Sequence, residues 1–361
     1  MTVFFISKIN PTSIGVLSDL KKAQLNSVFF EDFKKYISDK EADFDNVFFV
    51  PTTDQDNIFI LENYDKLSEL GHKFITSKKT LSIALDKYLF YKDLSSKNIL
   101  TPTTWLLDKK FILKKDLFFP LILKPCFPGE WKTAEMSAFM ENRKAVFIKN
   151  ILELKHWYNK LETFNSKIIV QEIIEQKNDE NYSFCGYSDE NGKVLWGFLT
   201  QKLIQYPEGF GTGVMCTTVD NLFLYSKLQK IVEEIGVEGI FELEVIRSKK
   251  DDKLYVIELN PRHWGQHSIS TKLGVNITLL DYYYKRGDFK KVKKIIENRN
   301  KDIKKIVWID TQGYLNHCIK NLFLPSRCKF KEFFSSKTKI SGLLFDDFKL
   351  YLKLNKKKLV K

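Results

Sequence analysis

Cysteine and long apolar runs are both scarce in this sequence of 361 residues. The five cysteines are odd in number and show no CxxC spacing, which argues against a disulfide framework and against structural zinc. No apolar stretch reaches the length of about 18 residues that a membrane span needs, and the apolar run in the opening MTVFFISKIN is too short for a signal peptide. We therefore expect a cytoplasmic globular protein with two or three domains.

The net charge of +13 is distributed unevenly along the chain. From Lys285 to Lys361 there are 22 basic and 7 acidic residues, so this segment carries +15 and the remainder carries −2. A basic segment can bind a phosphate polymer or an anionic membrane surface, and it can equally be a solvated helix face. Both interpretations stay open, with residues 286–361 as the candidate contact region for an anionic surface or polymer.

The first part of the chain alternates short apolar runs with helical patterns. Strands are predicted at TVFFIS (2–7), within DNVFFVPTTDQ (45–55) and at HKFIT (72–76), with helices between them. This alternation is typical of a parallel sheet of α/β type. A helix is predicted over 81–99, and a proline-marked linker follows it, so the first domain is predicted to cover 1–105.

The middle of the chain, 106–285, has the pattern of an α+β domain. FFPLILKP (118–125) and SKIIVQEII (166–174) are predicted strands, and residues 182–207 form two more around the turn signal Glu-Asn-Gly. GIFELEVI and KLYVIELN follow as paired strands joined by a charged turn. Residues 286–361 are predicted to be partly helical.

Acidic and amide side chains are concentrated on the last two predicted strands. The two-residue period places Glu242 with Glu244 on one face of the first strand, and Glu258 with Asn260 on one face of the second. Buried carboxylates are costly unless a cation or a basic partner compensates them, and oxygen donors without histidine or thiolate favour Mg²⁺ over Zn²⁺. Arg262 then lies where its guanidinium can reach a phosphate. The alternative interpretation is a set of exposed glutamates and an ordinary Asn-Pro turn.

The run ELNPR (258–262), after a strand that carries ELE (242–244), resembles the metal-binding signature of the ATP-grasp superfamily. TQKLIQYPEGFGTG (200–213) is similar to a stretch typical of predicted carboxylate–amine ligases related to bacterial D-aspartate ligase. The resemblance covers about 45–285 in order. It implies a Rossmann-like pre-ATP-grasp α/β domain, an α+β ATP-grasp domain whose lid subdomain is about 106–172, and a basic C-terminal extension.

The resemblance also implies roles for individual residues. ALDKY supplies a phosphate-contacting lysine, PLILKP supplies the lid-strand lysine, and IVQEII resembles the hinge that binds adenine through the backbone at Glu172 and Ile174. The implied ligands of Mg²⁺, or of Mn²⁺ as an alternative, are Glu244, Glu258 and Asn260. The implied ATP-binding residues are Lys87, Lys124, Gln171, Glu172, Ile173, Ile174, Lys202 and Gly211. The implied catalytic residues are Arg262 and Lys202.

Each of these roles has a simpler alternative in the sequence. Lys124 in an apolar strand fits phosphate contact, but a snorkelling lysine has the same pattern, and Lys202 also fits a solvated strand lysine. GFGTG (209–213) can bring backbone amides to an anion or form a mobile loop, and no βαβ unit surrounds it. His263, Trp264 and His267 follow the metal motif and are expected to border the substrate pocket, with the two histidines in acid–base, packing or capping roles.

The function that the resemblance implies is ATP-dependent amide formation. A carboxylate attacks the γ-phosphate of ATP to give an acyl phosphate and ADP, and an amine then displaces phosphate. The substrates would be a small-molecule carboxylate and a small-molecule amine, by analogy in cell-wall or surface-polysaccharide modification. The sequence leaves the oligomeric state open, and a homodimer is one assembly that the resemblance allows. The alternatives are a bicarbonate-using enzyme of the carboxylase or carbamoyl-phosphate type, an ATP-gated module that binds nucleic acid or membrane, and a catalytically inactive homologue.

Overall fold

The structure is a computed structural model of the chain. The residues it describes are 3–6, 10–23, 25, 27–29, 47–114, 116–128, 130, 136, 145–164, 166–208, 211–299, 305–335 and 338–341. The chain forms two compact units. The first unit comprises Met1–Lys78, Tyr182–Leu243 and Asn260–Lys361, and the second comprises Lys79–Asn181 and Glu244–Leu259. The three domains that the sequence suggests, 1–105, 106–285 and 286–361, stay a prediction.

The strands of the described residues lie in three sheets. In chain order they are β1 (Val3–Ile6), β2 (Ser27–Phe29), β3 (Val47–Phe49), β4 (Lys73–Phe74), β5 (Thr104–Leu106), β6 (Leu121–Pro125), β7 (Val146–Ile148), β8 (Ile168–Glu172), β9 (Gln176–Ser188), β10 (Val194–Tyr206), β11 (Thr212–Val219), β12 (Gly239–Ser248), β13 (Leu254–Asn260), β14 (Ile306–Ile309) and β15 (Thr338–Ser341).

The helices of the described residues connect and cover these sheets. In chain order they are α1 (Pro11–Lys22), α2 (Asp54–Glu62), α3 (Tyr64–Glu69), α4 (Lys78–Leu85), α5 (Lys87–Ser96), α6 (Lys109–Ile112), α7 (Ile151–Leu161), α8 (Leu222–Ile235), α9 (Ser268–Lys272), α10 (Ile277–Lys285), α11 (Phe289–Glu297), α12 (Thr311–Lys320) and α13 (Phe330–Ser335). Among these helices none is long and apolar enough to cross a bilayer.

The first sheet belongs to the first unit and has the strand order β2-β1-β3-β4. Strand β1 pairs parallel with β2 and β3, and β3 pairs parallel with β4, as the alternation of strands and helices predicts. Phe4, Ile6 and Phe48 are buried in the core of this unit together with Trp264 and Tyr282. All three residues of β3 are buried, which explains why this strand reads as an apolar run without polar alternation. Strand β2 was not among the predicted strands.

The helix predicted over 81–99 is two helices, so this prediction is wrong in its continuity. Asp86 separates α4 from α5 in an extended conformation, with φ −91° and ψ 101°. Its side chain accepts a hydrogen bond from the backbone N–H of Leu89 at 3.0 Å, which is the standard N-cap arrangement. The apolar periodicity continues across this position and hides the break. The consequence is that Lys87 is the first residue of a helix.

The second sheet belongs to the second unit and has the order β5-β8-β6-β7. Strand β8 pairs antiparallel with β5 and β6, and β6 pairs antiparallel with β7. The register places Leu123 opposite Val170 and Lys124 opposite Ile169. Leu121 and Leu123 are completely buried in the core of this unit, beneath α7. Because that core fixes β6 against β8, it also fixes the backbone of Lys124 opposite Ile169, near the start of β8.

The third sheet has the order β13-β12-β9-β10-β11-β14-β15. The predicted hairpin is β9 and β10, which pair antiparallel around a turn where Gly192 has a φ of +75°. The carboxylate of Asp189 accepts from the backbone N–H groups of Asn191 and Lys193 and holds this turn. The chain passes from one unit to the other within β9, β12 and β13.

Part of the predicted C-terminal extension contributes to this third sheet. Strand β14 pairs antiparallel with β11 and parallel with β15. The described residues of 286–361 are therefore integrated into the fold up to 341. Residues 342–361 lie outside the described residues.

Candidate active site

Lys87 and Glu258 form an ion pair in the second unit. The Nζ atom of Lys87 lies 2.6 Å from Oε1 of Glu258, and the two side chains are 19% and 39% exposed. The position of Lys87 follows from the cap at Asp86, and its own backbone N–H donates to the carbonyl of Cys126 at 2.9 Å. The pair is thus held by backbone on the lysine side and remains within reach of a ligand from solvent.

Lys124 is the second lysine of this site. Its Nζ donates to Oε1 of Gln171 at 3.0 Å, and Nε2 of Gln171 donates to the hydroxyl of Thr104 at 2.9 Å. Gln171 is buried, so its amide holds the lysine head group in one place. This arrangement differs from a snorkelling lysine, whose ammonium extends away from the protein into water.

Four charged side chains of the second unit interact electrostatically, and we call them the charged cluster: Lys87, Lys124, Glu244 and Glu258. Burial and the neighbouring Lys87 lower the pKa of Lys124 to about 8, while Glu258 and Glu244 oppose that shift. The same two carboxylates act on Tyr91, where burial raises the pKa to about 12. The hydroxyl of Tyr91 donates to the carbonyl of Ile257 at 2.5 Å, which ties α5 to β13 next to Glu258.

The predicted adenine-binding hinge is the end of β8. Oε2 of Glu172 accepts from the hydroxyl of Thr103 at 2.9 Å and from its backbone N–H at 3.2 Å. The N–H of Glu172 in turn donates to the carbonyl of Thr103 at 2.9 Å. Ile173 and Ile174 follow the strand as half-buried residues without regular structure. The hinge therefore offers apolar side chains on a segment whose start is fixed to Thr103.

Asn260 belongs to the first unit, where its carboxamide has fixed partners. Its Nδ2 donates to Oε2 of Glu242 at 3.1 Å, and its Oδ1 accepts from Arg262 at 3.2 Å. Nε2 of Gln266 donates to the other carboxylate oxygen of Glu242 at 2.8 Å. Glu242, Asn260 and Gln266 are all buried, so this network fixes which way the Asn260 oxygen points. An amide oxygen has two lone pairs, and the hydrogen bond from Arg262 uses one of them.

Arg262 is held by Asp54 in the first unit. Its Nε donates to Oδ1 of Asp54 at 2.7 Å, and its Nη1 donates to the carbonyl of His263 at 3.2 Å. Asp54 begins α2, directly after the cap residue Thr53. The guanidinium is thus positioned by a carboxylate, an amide and a carbonyl.

Lys202 and Gly211 also lie in the first unit. Lys202 is buried on β10 opposite Cys216, and a Cβ atom at Gly213 would lie 3.3 Å from its Cγ atom. A Cβ atom at Gly211 would lie 2.0 Å from the carbonyl oxygen of Pro207, so the backbone there passes too close for any side chain. The backbone conformation at this turn therefore requires glycine at position 211. Of the predicted loop GFGTG, residues 209 and 210 lie outside the described residues.

His263, Trp264 and His267 are buried in the first unit, with exposures of 0%, 1% and 1%. Burial lowers the pKa of His267 to about 4 and that of His263 well below its ordinary value. Nε2 of His263 lies 2.9 Å from the hydroxyl of Thr278. Neutral, enclosed imidazoles of this kind fit the packing interpretation better than proton transfer near neutral pH.

The oxygen donors of the site fit a hard divalent cation. Glu244 and Glu258 belong to the charged cluster, and Asn260 follows Glu258 by two positions on β13, hence on the same strand face. Within the described residues, no three histidine, cysteine, aspartate or glutamate side chains are grouped as a metal site. The carboxylates of Glu244 and Glu258 in the second unit are oxygen donors of the kind that Mg²⁺ takes.

Sequence reasoning did not single out Tyr91, Thr103, Asp54 or Gln266. Asp54 carries a signal that was available, because it follows a parallel strand of the first sheet at its carboxyl end, where ligand-binding residues of α/β proteins concentrate. The others have no local signature, since their partners are distant in sequence.

Comparison with known structures identifies the fold. The chain resembles a RimK-domain ATP-grasp protein from Sphaerobacter thermophilus with a TM-score of 0.50 and 12% identity, over 72% of this chain and 89% of that one. The fold is that of the ATP-grasp proteins. Biotin carboxylase from Campylobacter jejuni, solved as a β-γ-ATP complex, is similar with a TM-score of 0.60 and 15% identity, over 84% of this chain and 72% of that one.

Sequence comparison gives one relative of known activity. The chain is 27% identical over 199 residues to the coenzyme gamma-F420-2:alpha-L-glutamate ligase of Methanocaldococcus jannaschii. The match covers 53% of this chain and 62% of the relative, so it spans less than two thirds of that protein's length. Compared with protein-family models, the sequence matches none.

Proposed function

We propose that this ATP-grasp protein is an ATP-dependent ligase that joins a carboxylate to an amine through an acyl phosphate. The observation that carries the proposal is the charged cluster of the second unit, in which two lysines and two glutamates interact around Lys124. Lysine ammonium groups bind phosphate, and carboxylates bind the divalent cation that accompanies a nucleotide. One site thus contains both kinds of group that phosphoryl transfer requires.

Each residue of the site has a task in the proposed reaction. Lys87 and Lys124 would contact the phosphates of ATP, with Gln171 holding the Lys124 head group. At the hinge, the N–H of Glu172 is engaged by Thr103, so adenine would be bound through the carbonyl of Glu172 and the backbone of Ile174. Gln171 and Ile173 border the same segment of β8.

Glu244, Glu258 and Asn260 would hold Mg²⁺, or Mn²⁺ in its place. A divalent cation at these oxygens supplies charge neutralisation of the nucleotide phosphates. Arg262 and Lys202 are proposed to stabilise the negative charge that develops on the phosphoryl group and on the acyl phosphate. The orientation of Arg262 by Asp54 means that its guanidinium needs little rearrangement when charge develops.

One relative supports an amino acid as one substrate. The protein from Methanocaldococcus jannaschii is named as an L-glutamate ligase, and an amino acid supplies the amine of such a reaction. The D-aspartate ligase subgroup, a role in cell-wall or surface-polysaccharide modification, a cytoplasmic location and a homodimer are parts of the same proposal. So is the Rossmann-like pre-ATP-grasp assignment of residues 1–105.

The test is ADP release by the purified full chain with Mg·ATP, measured against paired sets of carboxylates and amines. We expect ADP to form only when an acid and an amine are both present, with an amide product of the summed masses less water. Hydroxylamine in place of the amine should trap the acyl phosphate as a hydroxamate. ADP release that no pair of acid and amine stimulates would contradict the proposal.

A bicarbonate-using enzyme is the second candidate, favoured by the likeness to biotin carboxylase. The two reactions share a nucleotide site and differ in the acid that is phosphorylated. Bicarbonate alone should stimulate ADP release in the carboxylase-type reaction, and it should have no effect on a ligase assayed with its organic acid omitted.

A further inference from the structure

The loop after α12 presents large apolar side chains to solvent in an uncommon backbone conformation. Leu322 and Phe323 have φ angles of 50° and 54°, in the left-handed region that bulky residues rarely adopt. Their exposures are 83% and 51%, and that of Leu324 is 48%. We call Leu322, Phe323 and Leu324 the apolar tip. Neither burial of these side chains nor backbone preference explains why they occupy this turn.

The conformation of the apolar tip is fixed by the residues beneath it. Asn321 is buried, and its Nδ2 donates to the carbonyl of His317 at 3.0 Å and to Oε1 of Glu208 at 3.1 Å. Its Oδ1 accepts from Nη1 of Arg327 at 3.0 Å, while Nε2 of His317 lies 3.1 Å from the carbonyl of Arg327. The N–H of Phe323 donates to the carbonyl of Cys318 at 2.8 Å. The turn is therefore built to hold the tip outward.

Basic side chains flank the apolar tip on both sides in sequence. Lys320 precedes it, and Arg327, Lys329 and Lys331 follow it, against one acidic residue, Glu332, in the same stretch. Lys320, Arg327 and Lys331 are exposed. Exposed leucine and phenylalanine partition into the interfacial region of a bilayer, and basic residues beside them are attracted to anionic headgroups. The loop combines both properties within twelve residues of sequence.

We propose that the apolar tip inserts into the surface of a bilayer that contains anionic phospholipid, and that the flanking basic residues bind its headgroups. A side chain that is 83% exposed on a fixed turn stands out from the protein, which suits entry into a fluid medium. The proposal does not depend on the ligase activity. It places this protein at a membrane surface by a peripheral contact.

The first test is cosedimentation of the full chain with vesicles of phosphatidylcholine containing phosphatidylglycerol. We expect binding that rises with the phosphatidylglycerol fraction and weakens with added salt. The double variant Leu322→Asn, Phe323→Asn should lower the partition coefficient at least about tenfold, because it removes the apolar groups and keeps all flanking charges. Since asparagine adopts positive φ more readily than leucine or phenylalanine, this variant should unfold at no lower temperature than wild type.

The matched control is Leu222→Asn, Phe223→Asn at the start of α8. These two side chains are 79% and 78% exposed, and they follow Asp220 and Asn221 instead of basic residues. The control variant should keep wild-type vesicle binding. Equal loss of binding in both double variants would show non-specific adhesion and overturn the proposal, as would unchanged binding of the tip variant.

A protein partner is the competing outcome for the same surface. Sedimentation velocity of the full chain without lipid would then show self-association that the Leu322→Asn, Phe323→Asn variant abolishes, together with no binding to anionic vesicles. That result would overturn the membrane proposal. ADP release by the tip variant in solution should equal that of wild type, so a failure of the proposed ligase function and a failure of this inference are distinguishable.

Discussion

The ammonium group of Lys87 lies 2.6 Å from the carboxylate of Glu258, although 171 positions separate the two residues in the sequence. In the proposed reaction Lys87 binds a phosphate of ATP and Glu258 binds the divalent cation. Each side chain therefore exchanges one charged partner for another when Mg·ATP binds. Such an exchange limits the cost of bringing charge into a half-buried site.

Glu258→Gln should lower kcat for ADP release by about 100-fold or more, because a ligand of the cation loses its charge. The fold should persist, since an ion pair with side chains 19% and 39% exposed contributes little stability. Steady-state kinetics at saturating ATP and a thermal unfolding curve measure the two effects. The matched control is Glu180→Gln, which removes a comparably half-buried ion pair to Arg247 in the same unit. Equal losses of activity in the two variants would contradict the assignment of Glu258.

Lys124→Met should weaken ATP binding by about tenfold or more, because it removes a cation whose head group Gln171 holds in place. Isothermal titration calorimetry with a non-hydrolysable ATP analogue measures the dissociation constant without turnover. Lys155→Met, at an exposed position of α7, is the control and should bind like wild type. Unaltered affinity in Lys124→Met would leave this lysine with a purely structural role.

Arg262→Lys should lower kcat by about 100-fold with a smaller change in KM for ATP. The planar guanidinium of arginine can donate to Asp54, to Asn260 and to a phosphoryl group at the same time, whereas a lysine ammonium cannot. Asp54→Asn tests Asp54 as a positioning residue. We expect it to lower kcat by about tenfold while Arg262 keeps its charge. If Asp54→Asn instead raised only KM, the aspartate would act in substrate binding and not through the arginine.

Asp281→Asn should remove a pH dependence of stability. Asp281 is completely buried, and this burial raises its pKa from 3.8 to about 7, against the opposing effects of Lys285 and Tyr187. Between these two values the folded state holds a proton that the unfolded chain releases, so the free energy of unfolding falls as the pH rises and stays low above about 7. The total decrease in the free energy of unfolding across this pH range is at most about 4 kcal/mol.

Urea unfolding at pH 5 and pH 8 measures this effect. The free energy of unfolding should differ less between pH 5 and pH 8 in Asp281→Asn than in wild type. The wild-type difference should persist in Asp220→Asn, whose carboxylate is exposed. An unchanged difference in Asp281→Asn would assign the pH dependence to other groups.

Gly211→Ala should destabilise the protein, because the new Cβ atom would lie 2.0 Å from the carbonyl oxygen of Pro207. We expect the unfolding temperature to fall by a few degrees, and the loss of activity to follow from the displaced loop. Gly265→Ala is the control, since its Cβ atom would meet nothing closer than 3.6 Å. Differential scanning fluorimetry measures the unfolding temperatures of both variants. Equal temperatures would mean that the turn accommodates the Cβ atom without loss of stability.

Local patterns were sufficient to predict β1, β3 and β4 of the first sheet and the hairpin of β9 and β10, but not β2. Both depend on signals within a few residues: apolar runs for buried parallel strands, and Glu-Asn-Gly for a tight turn. The division at Asp86 could not be seen in the same way. An aspartate inside an apolar periodic pattern can point to solvent or cap a new helix, and only the hydrogen bond to Leu89 distinguishes the two.

The candidate site was predictable where a short motif carries it and unpredictable where distant residues position the motif. Lys124, Glu258, Asn260 and Arg262 stand out because of their neighbours in sequence. The contacts of Arg262 with Asp54 and of Lys87 with Glu258 cross about half the chain or more, so no spacing rule indicates them.

Because the second unit is assembled from Lys79–Asn181 and Glu244–Leu259, no single cut in the chain can release it. A fragment that ends at Asn181 would contain Lys87 and Lys124 but neither glutamate of the charged cluster. Isolating the second unit by itself would need a new linker between Asn181 and Glu244 in place of Tyr182–Leu243. Truncation after Asn181 or before Glu244 would separate the two lysines of the charged cluster from its two glutamates.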